Sequence, residues 1–465
     1  HQASQDLDSL YALAGEAQQE LAALLDGLNN AQRYQLQIPE VKSYERAKAK
    51  IAAKFDGDAS RITDLARASL VAEDIQGLMT AFEDLQQQVK VLQVKNRFAE
   101  PKASGYRDLN LLVQLPQTGM IASYGEQLLD WIETYTFPTE RAFADEAHAG
   151  GVAEVFLNEL LRNGTTTALV FGSVHKESVD AFFEACEKRN LRMIAGKVLM
   201  DRNAPEPLTN TPQSGYEDTK ALIGQWHGKG RVEVAVTPRF ALTSSEAQLE
   251  AAGQLAAEYP DTWIHTHLAE NHDEVEEIAR LFPDSRSYLD VYDRFGLLRE
   301  RSVFAHCLHM DDTDRTEMAA KGGAAAFCPT SNLFLGGGLF RLPAMRAAGI
   351  RCGLGTDVGG GTSLSLLRTA SEAYKVLHLQ DHALPAMQAL YLATLGAAEA
   401  LRLDAEIGNF ATGKEADFVM LDFAGSSLTA RRTAAATSIE EKLFALMTLG
   451  DDRNIAATYV LGRKV

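Results

Sequence analysis

Only four cysteines, Cys186, Cys307, Cys328 and Cys352, occur in 465 residues, and no two of them form a CxxC pair. So few thiols exclude a disulfide framework and fit a reduced, cytoplasmic setting. Long apolar runs are missing too. No stretch reaches the roughly 18 residues needed to cross a bilayer, so the chain is not expected to partner a membrane. Positive charge is scarce: 45 Lys and Arg face 63 Asp and Glu, a formal net charge of −18. That balance argues against a nucleic-acid partner over the whole molecule. The polar start, His1 to Asp6, has no signal-peptide core, and His1 in place of Met reads as a fragment or processed product. No repeat of 20–50 residues is evident.

What is present is a large potential core. Hydrophobic residues make up 46% and charged residues 23%, which excludes a mainly disordered chain. Residues 1–100 are rich in Ala, Gln, Leu, Glu and Lys, with apolar residues at helical spacing, as in Leu21, Leu24, Leu25 and Leu28. The stretch Leu78–Val94 continues the pattern, and the region reads as amphipathic helices. From about Gly164 the character changes. Seven β-rich runs (Thr165–Val170, Leu191–Leu199, Arg231–Val236, Thr262–His267, Ser302–His306, Gly323–Cys328 and Ile350–Gly355) are nearly all separated by helical stretches. Such alternation predicts parallel strands joined by right-handed crossovers, one strand short of an eight-stranded α/β barrel. The alternating segment 109–115 is the candidate for the missing first strand, beside Thr165–Val170. The expected architecture is α/β. A helical or α+β region (1–115) precedes a (β/α)8 barrel with an irregular or substituted first strand (116–402), and a small β layer follows (403–465).

Barrel chemistry sits at the C-terminal ends of strands. Four runs end in polar residues: His265-Thr266-His267-Leu268-Ala269-Glu270, His306-Cys307-Leu308-His309, Gly355-Thr356-Asp357, and Thr237-Pro238-Arg239-Phe240. Imidazoles from two strands and a carboxylate from a third would converge at one mouth. A hydrolytic zinc needs such N/O donors, an open position for water, and a nearby carboxylate that moves protons without being a ligand. Glu270, three residues past His267, suits the last role.

From Pro116 to Val465 the sequence resembles the guanine deaminases of the amidohydrolase superfamily. The resemblance is carried by Pro116-Gln117-Thr118, Phe137-Pro138-Thr139-Glu140, Thr237–Phe240, His265–Asn271, Ala305-His306-Cys307, Pro329-Thr330-Ser331-Asn332-Leu333 and Gly355–Gly360. It implies a zinc-dependent hydrolase that converts guanine to xanthine and ammonia, and a homodimer. In its terms His267 is a zinc ligand that also touches substrate, and Asp357 is a ligand and proton acceptor. Glu270 shuttles protons, and His306, counted with the metal residues or close beside them, holds the attacking water or the substrate. Gln117, Arg239 and Phe240 grip the purine.

One departure stands out. The family carries a His-x-His pair at the end of its first barrel strand, where this chain has Leu112 and Gln114. Neither replaces an imidazole, so weak zinc binding and low or absent activity are expected, with rescue if both become His. His265 reads as a supporting or core histidine. Residues from about 43 to 115 resemble a partial RelA/SpoT-type nucleotidyltransferase domain, through Arg61–Arg67, Lys95-Asn96-Arg97-Phe98 and Ser104–Leu111. That resemblance implies a nucleotide pyrophosphate transferase as one alternative, and a catalytically inactive fusion or scaffold is another. The two resemblances meet where each stops short, which reads as a junction of two incomplete genes.

Overall fold

The computed structural model describes residues 127–465, four helical residues near the start (Gln18, Leu21, Ala22 and Leu25), and four early strands. The strands are β1 (Gln35–Gln37), β2 (Ser69–Val71), β3 (Lys90–Asn96) and β4 (Leu109–Gln114). The chain divides into two units, His1–Gly119 and Met120–Val465.

In the first unit β1 pairs antiparallel with β2, and β3 pairs antiparallel with β4. This corrects two expectations. Residues 90–94, read as the end of a helix, are strand. Residues 109–114 are not the first barrel strand: Leu112 lies opposite Gln93 and Gln114 opposite Lys90. The physical reason is in the pattern. A strand of a parallel barrel is covered on both faces and reads as a near-continuous apolar run. Leu-Asn-Leu-Leu-Val-Gln keeps polar residues at intervals and suits a half-covered antiparallel pair. Its partner is also near in sequence, so the connection costs little entropy. Changing Leu112 and Gln114 to His should therefore leave turnover unchanged, contrary to the rescue expected from sequence; an ammonia-release assay on the double variant checks this.

The second unit is built as the alternation predicts. Its strands are β5 (Thr167–Phe171), β6 (Arg192–Gly196), β7 (Val198–Leu199), β8 (Val232–Pro238), β9 (Trp263–Leu268), β10 (Ser302–His306), β11 (Ala324–Phe327) and β12 (Arg351–Leu354). They form one curled parallel sheet in the order β12-β11-β10-β9-β8-β6-β5, with β7 paired to β8. The expected run Leu191–Leu199 is thus split in two at Lys197. Among the described residues no strand joins β5 to β12. Helices pack on the outer face, and their ends are encoded locally. The helix Asp312–Lys321, for example, starts at a capping box between Asp311 and Asp314 and stops at Gly322, whose φ of 76° suits glycine. The core between sheet and helices includes the fully buried Phe183, Phe304, Phe327 and Phe340. No helix among the described residues is long and apolar enough to cross a membrane.

A small antiparallel sheet of β13 (Phe418–Leu421), β14 (Ile455–Val460) and β15 (Arg463–Lys464) closes the chain. The last two strands form a hairpin. Leu461 and Gly462 both take positive φ, 49° and 75°, as a tight two-residue turn requires. Two ion-paired arginines tie this region to the sheet. Arg231, beside the start of β8, pairs with Glu415 and lies 2.6 Å from the buried Asp417. Arg192 also pairs with Glu415. Arg231→Ala would strand the Asp417 carboxylate without its cation. A loss of about 3–5 kcal/mol is expected, measured by urea denaturation.

Candidate active site

The parallel register brings the polar strand ends to one place. His267 lies opposite Ala305, and Leu268 opposite His306. Side chains alternate along a strand, so His265 and His267 share a face. The backbone is strained where the site is made: Ala269, His306, Cys307 and Asp357 all have positive φ, between 47° and 73°. Each such non-glycine conformation costs on the order of 1–3 kcal/mol, and such strain gathers at functional sites.

The ligand atoms of His267, His306 and Asp357 lie within 4.8 Å of one another. Neighbours set the tautomers. His267 Nδ1 lies 2.6 Å from the Arg239 carbonyl oxygen. A carbonyl only accepts, so Nδ1 carries the proton and Nε2 keeps its lone pair. His306 Nδ1 likewise donates to Asn332 Oδ1 at 2.8 Å. His306 Nε2 faces Glu270 Oε2 at 3.3 Å and Asp357 Oδ2 at 3.9 Å, yet has no hydrogen-bond partner among the described residues. Glu270 Oε1 is also buried without a partner among the described residues. Orphaned buried polar atoms are rare and call for an explanation. Two imidazole lone pairs, one of them without a hydrogen-bond partner among the described residues, and a carboxylate fit a divalent metal.

Burial governs the protonation states. It lowers the pKa of His267 well below the ordinary value, with the neighbouring His306 adding to the effect. His265, buried and stacked on Phe171 at 3.7 Å, is pushed down to about 3 by the same two causes. Neutral imidazoles are the metal-binding form. Burial, then the Asp357 and Glu274 charges, raise the Glu270 carboxyl well above the ordinary carboxylate range. A shift in that direction suits a general acid–base group, which must hold a proton near neutral pH.

Substrate-gripping candidates lie at the same mouth. Arg239 follows β8 and bonds Glu140, and Phe240 is buried edge-on to His267 at 6.1 Å between ring centres. Gln117 lies outside the described residues. His265 stays out of the metal-capable group.

Residues 115–465 match the Amidohydrolase family. The chain belongs to the amidohydrolase family. It is 52% identical over 353 residues to guanine deaminase of Escherichia coli strain K12, spanning 76% of this chain and 80% of that relative. Guanine deaminase of Dictyostelium discoideum is 35% identical over 348 residues, spanning 73% and 76%. Among solved structures, E. coli guanine deaminase superposes with a TM-score of 0.74 over 75% of this chain and 81% of that one. Guanine deaminase from C. acetobutylicum, with guanine bound in its active site, is 29% identical, with a TM-score of 0.69 over 74% and 82%. The chain is thus a hydrolase of this family. The RelA/SpoT resemblance is not borne out.

Within this amidohydrolase site, three supporting residues escaped the sequence reading. Glu274 accepts from the Glu270 and Asn271 backbone N–H groups at 2.8 and 3.2 Å, and from Tyr288 Oη at 2.7 Å. Its signal was the Asn-x-x-Glu capping box that opens the helix His272–Leu281. Asn332 and Glu140 stood in segments that carried the family resemblance, but nothing local revealed their partners. Asn332→Ala would free the His306 ring to turn and change tautomer. A 10–100-fold fall, roughly, in turnover is expected, checked by steady-state kinetics with bound metal measured alongside.

Proposed function

We propose that the chain is a zinc-dependent guanine deaminase: guanine and water give xanthine and ammonia. The observation that carries this reading is the meeting of His267, His306 and Asp357 beside a buried, proton-holding Glu270, in a chain 52% identical to an E. coli guanine deaminase. His267 Nε2, Asp357 and, at the site's edge, His306 Nε2 would hold the metal. When bound, zinc supplies Lewis acidity and makes water a stronger nucleophile at neutral pH.

The chain's own groups supply the rest. Phe240 stacks on the purine, and Arg239 donates to an acceptor on its edge, as Gln117 also would. Water attacks the carbon that bears the amine. Asp357 accepts a proton from that water. Glu270 passes a proton to the adjacent ring nitrogen, which makes the carbon easier to attack. A second transfer turns the amine into ammonia, and the carbonyl of xanthine remains.

Three protein donors match the count of a catalytic zinc site. The resemblance calls for two further imidazoles on a first barrel strand, and among the described residues no strand joins β5 to β12, so zinc is held weakly and turnover is low relative to the E. coli protein. A homodimer and a cytoplasmic setting complete the proposal, carried by the resemblance and the thiol content. The test is ammonia release from guanine, with adenine as the control purine. Release from guanine alone supports the reading, and release from neither at saturating zinc defeats it.

A further inference from the structure

We propose that Glu140 is a positioning residue that aims Arg239 at the carbonyl oxygen of a 6-oxopurine, so that the pair sets substrate preference. The inference rests on the guanine reading and adds to it a residue that would touch no substrate.

The two residues are 99 positions apart, and both side chains are mostly buried, 11% exposed for Arg239 and 16% for Glu140. Arg239 Nη1 donates to both Glu140 oxygens, at 2.7 and 2.9 Å. A guanidinium has five N–H donors in a rigid plane. One nitrogen therefore takes the whole carboxylate, while Nε and Nη2 have no acceptor among the described residues. Unspent donors on a nearly buried, charge-compensated cation suit a neutral ligand with an acceptor at that edge.

The guanidinium is held at each end. Its main chain is anchored to a metal-capable residue, because the Arg239 carbonyl accepts from His267 Nδ1 at 2.6 Å and from His267 N at 3.1 Å. Its tip is held by Glu140, and its face lies 5.7 Å from the centre of the Phe137 ring. Glu140 and Phe137 sit together on the short helix Phe137–Glu140, which follows a π-helical turn, Ile132–Thr136. Phe137 and Phe240 both line a cavity of about 300 Å³. This short arm thus fixes the direction of the free donors relative to His267.

Direction is what separates one purine from another here. A fixed pair of donors satisfies a ring carbonyl. An amino group at the same position offers only N–H, leaving nearly buried donors unpaired, and sites of this kind reject such analogues strongly. Without Glu140 the guanidinium would swing, and both purines would meet a loosely placed cation.

The experiment needs no turnover. Radiolabelled guanine and 2,6-diaminopurine are bound to the full chain by equilibrium dialysis in chelator, where neither is turned over. The unmodified chain should prefer guanine, and Arg239→Ala should abolish the preference. Glu140→Ala should cut the preference at least about tenfold, mainly by weakening guanine. Glu140→Gln, nearly the same shape and keeping one acceptor oxygen, should fall between, and serves alone if the alanine variant does not fold. A merely structural Glu140 would weaken both purines alike. An unchanged preference in both Glu140 variants, with Arg239→Ala losing it, overturns the inference and leaves the guanine reading standing. No preference for guanine in the unmodified chain overturns that reading and the inference with it.

Discussion

Glu270→Gln is expected to lower guanine turnover by about two to four orders of magnitude while bound metal stays the same. Gln is close in size to Glu and can turn its amide N–H toward His306 Nε2. It cannot take up and release a proton. Because Glu270 is proposed as a proton carrier and not a ligand, metal content should not follow activity. A second readout is independent of turnover. In the metal-free chain, burial raises the Glu270 pKa well above its ordinary value of 4.5, so the folded state binds this proton more tightly than the unfolded state does. The sign follows from linkage: each unit of pH above about 4.5 costs the folded state stability until the folded pKa is passed. Glu270→Gln removes that cost. It should be the more stable chain at pH 8 in chelator, with the gain fading toward pH 4, as followed by urea denaturation. Metal loss in Glu270→Gln as complete as in a true ligand variant would show that the roles are misassigned.

Asp357→Ala is expected to remove both bound metal and turnover. Asp357 gives the carboxylate of the three-donor group, and its oxygen lies 3.9 Å from His306 Nε2. Without it two neutral imidazoles remain, too few for a catalytic site that takes three protein donors. Its negative charge is also among the causes that keep Glu270 protonated. The Glu270 pKa should therefore fall in this variant, and the pH dependence of stability should flatten. Elemental analysis and ammonia release, run on the same preparation, check the first statement; titration of stability with pH checks the second. Full metal retention would remove Asp357 from the ligand set.

Much of the second unit was legible because parallel strands covered on both faces leave short apolar runs, and the helices between them carry the 3.6-residue period. The runs ending at His267, His306 and Gly355 led straight to the site, since parallel strands expose their C-terminal ends together. The partner of residues 109–114 was not legible. Alternation shows which faces a strand has, not which neighbour it pairs with, and a shortage of one barrel strand pulled the reading toward the wrong partner. The helices Ser427–Ala434 and Ile439–Leu449 were missed within the last segment, where short polar stretches hid the caps Ser426 and Ser438. Glu140 and Asn332 were quoted only as family features. Their roles depend on contacts made across 99 and 26 positions, which no local pattern encodes.

The most direct test of the central claim is ammonia release from guanine by the unmodified chain across a series of added zinc, with bound zinc measured at each point. The account predicts less than one zinc per chain as purified. Turnover should be low, rise with bound zinc and vanish in chelator. A folded chain that binds zinc yet releases no ammonia from guanine would contradict the proposed activity. Full zinc as purified, with turnover equal to the E. coli relative, would contradict the claim that the missing imidazoles weaken the site.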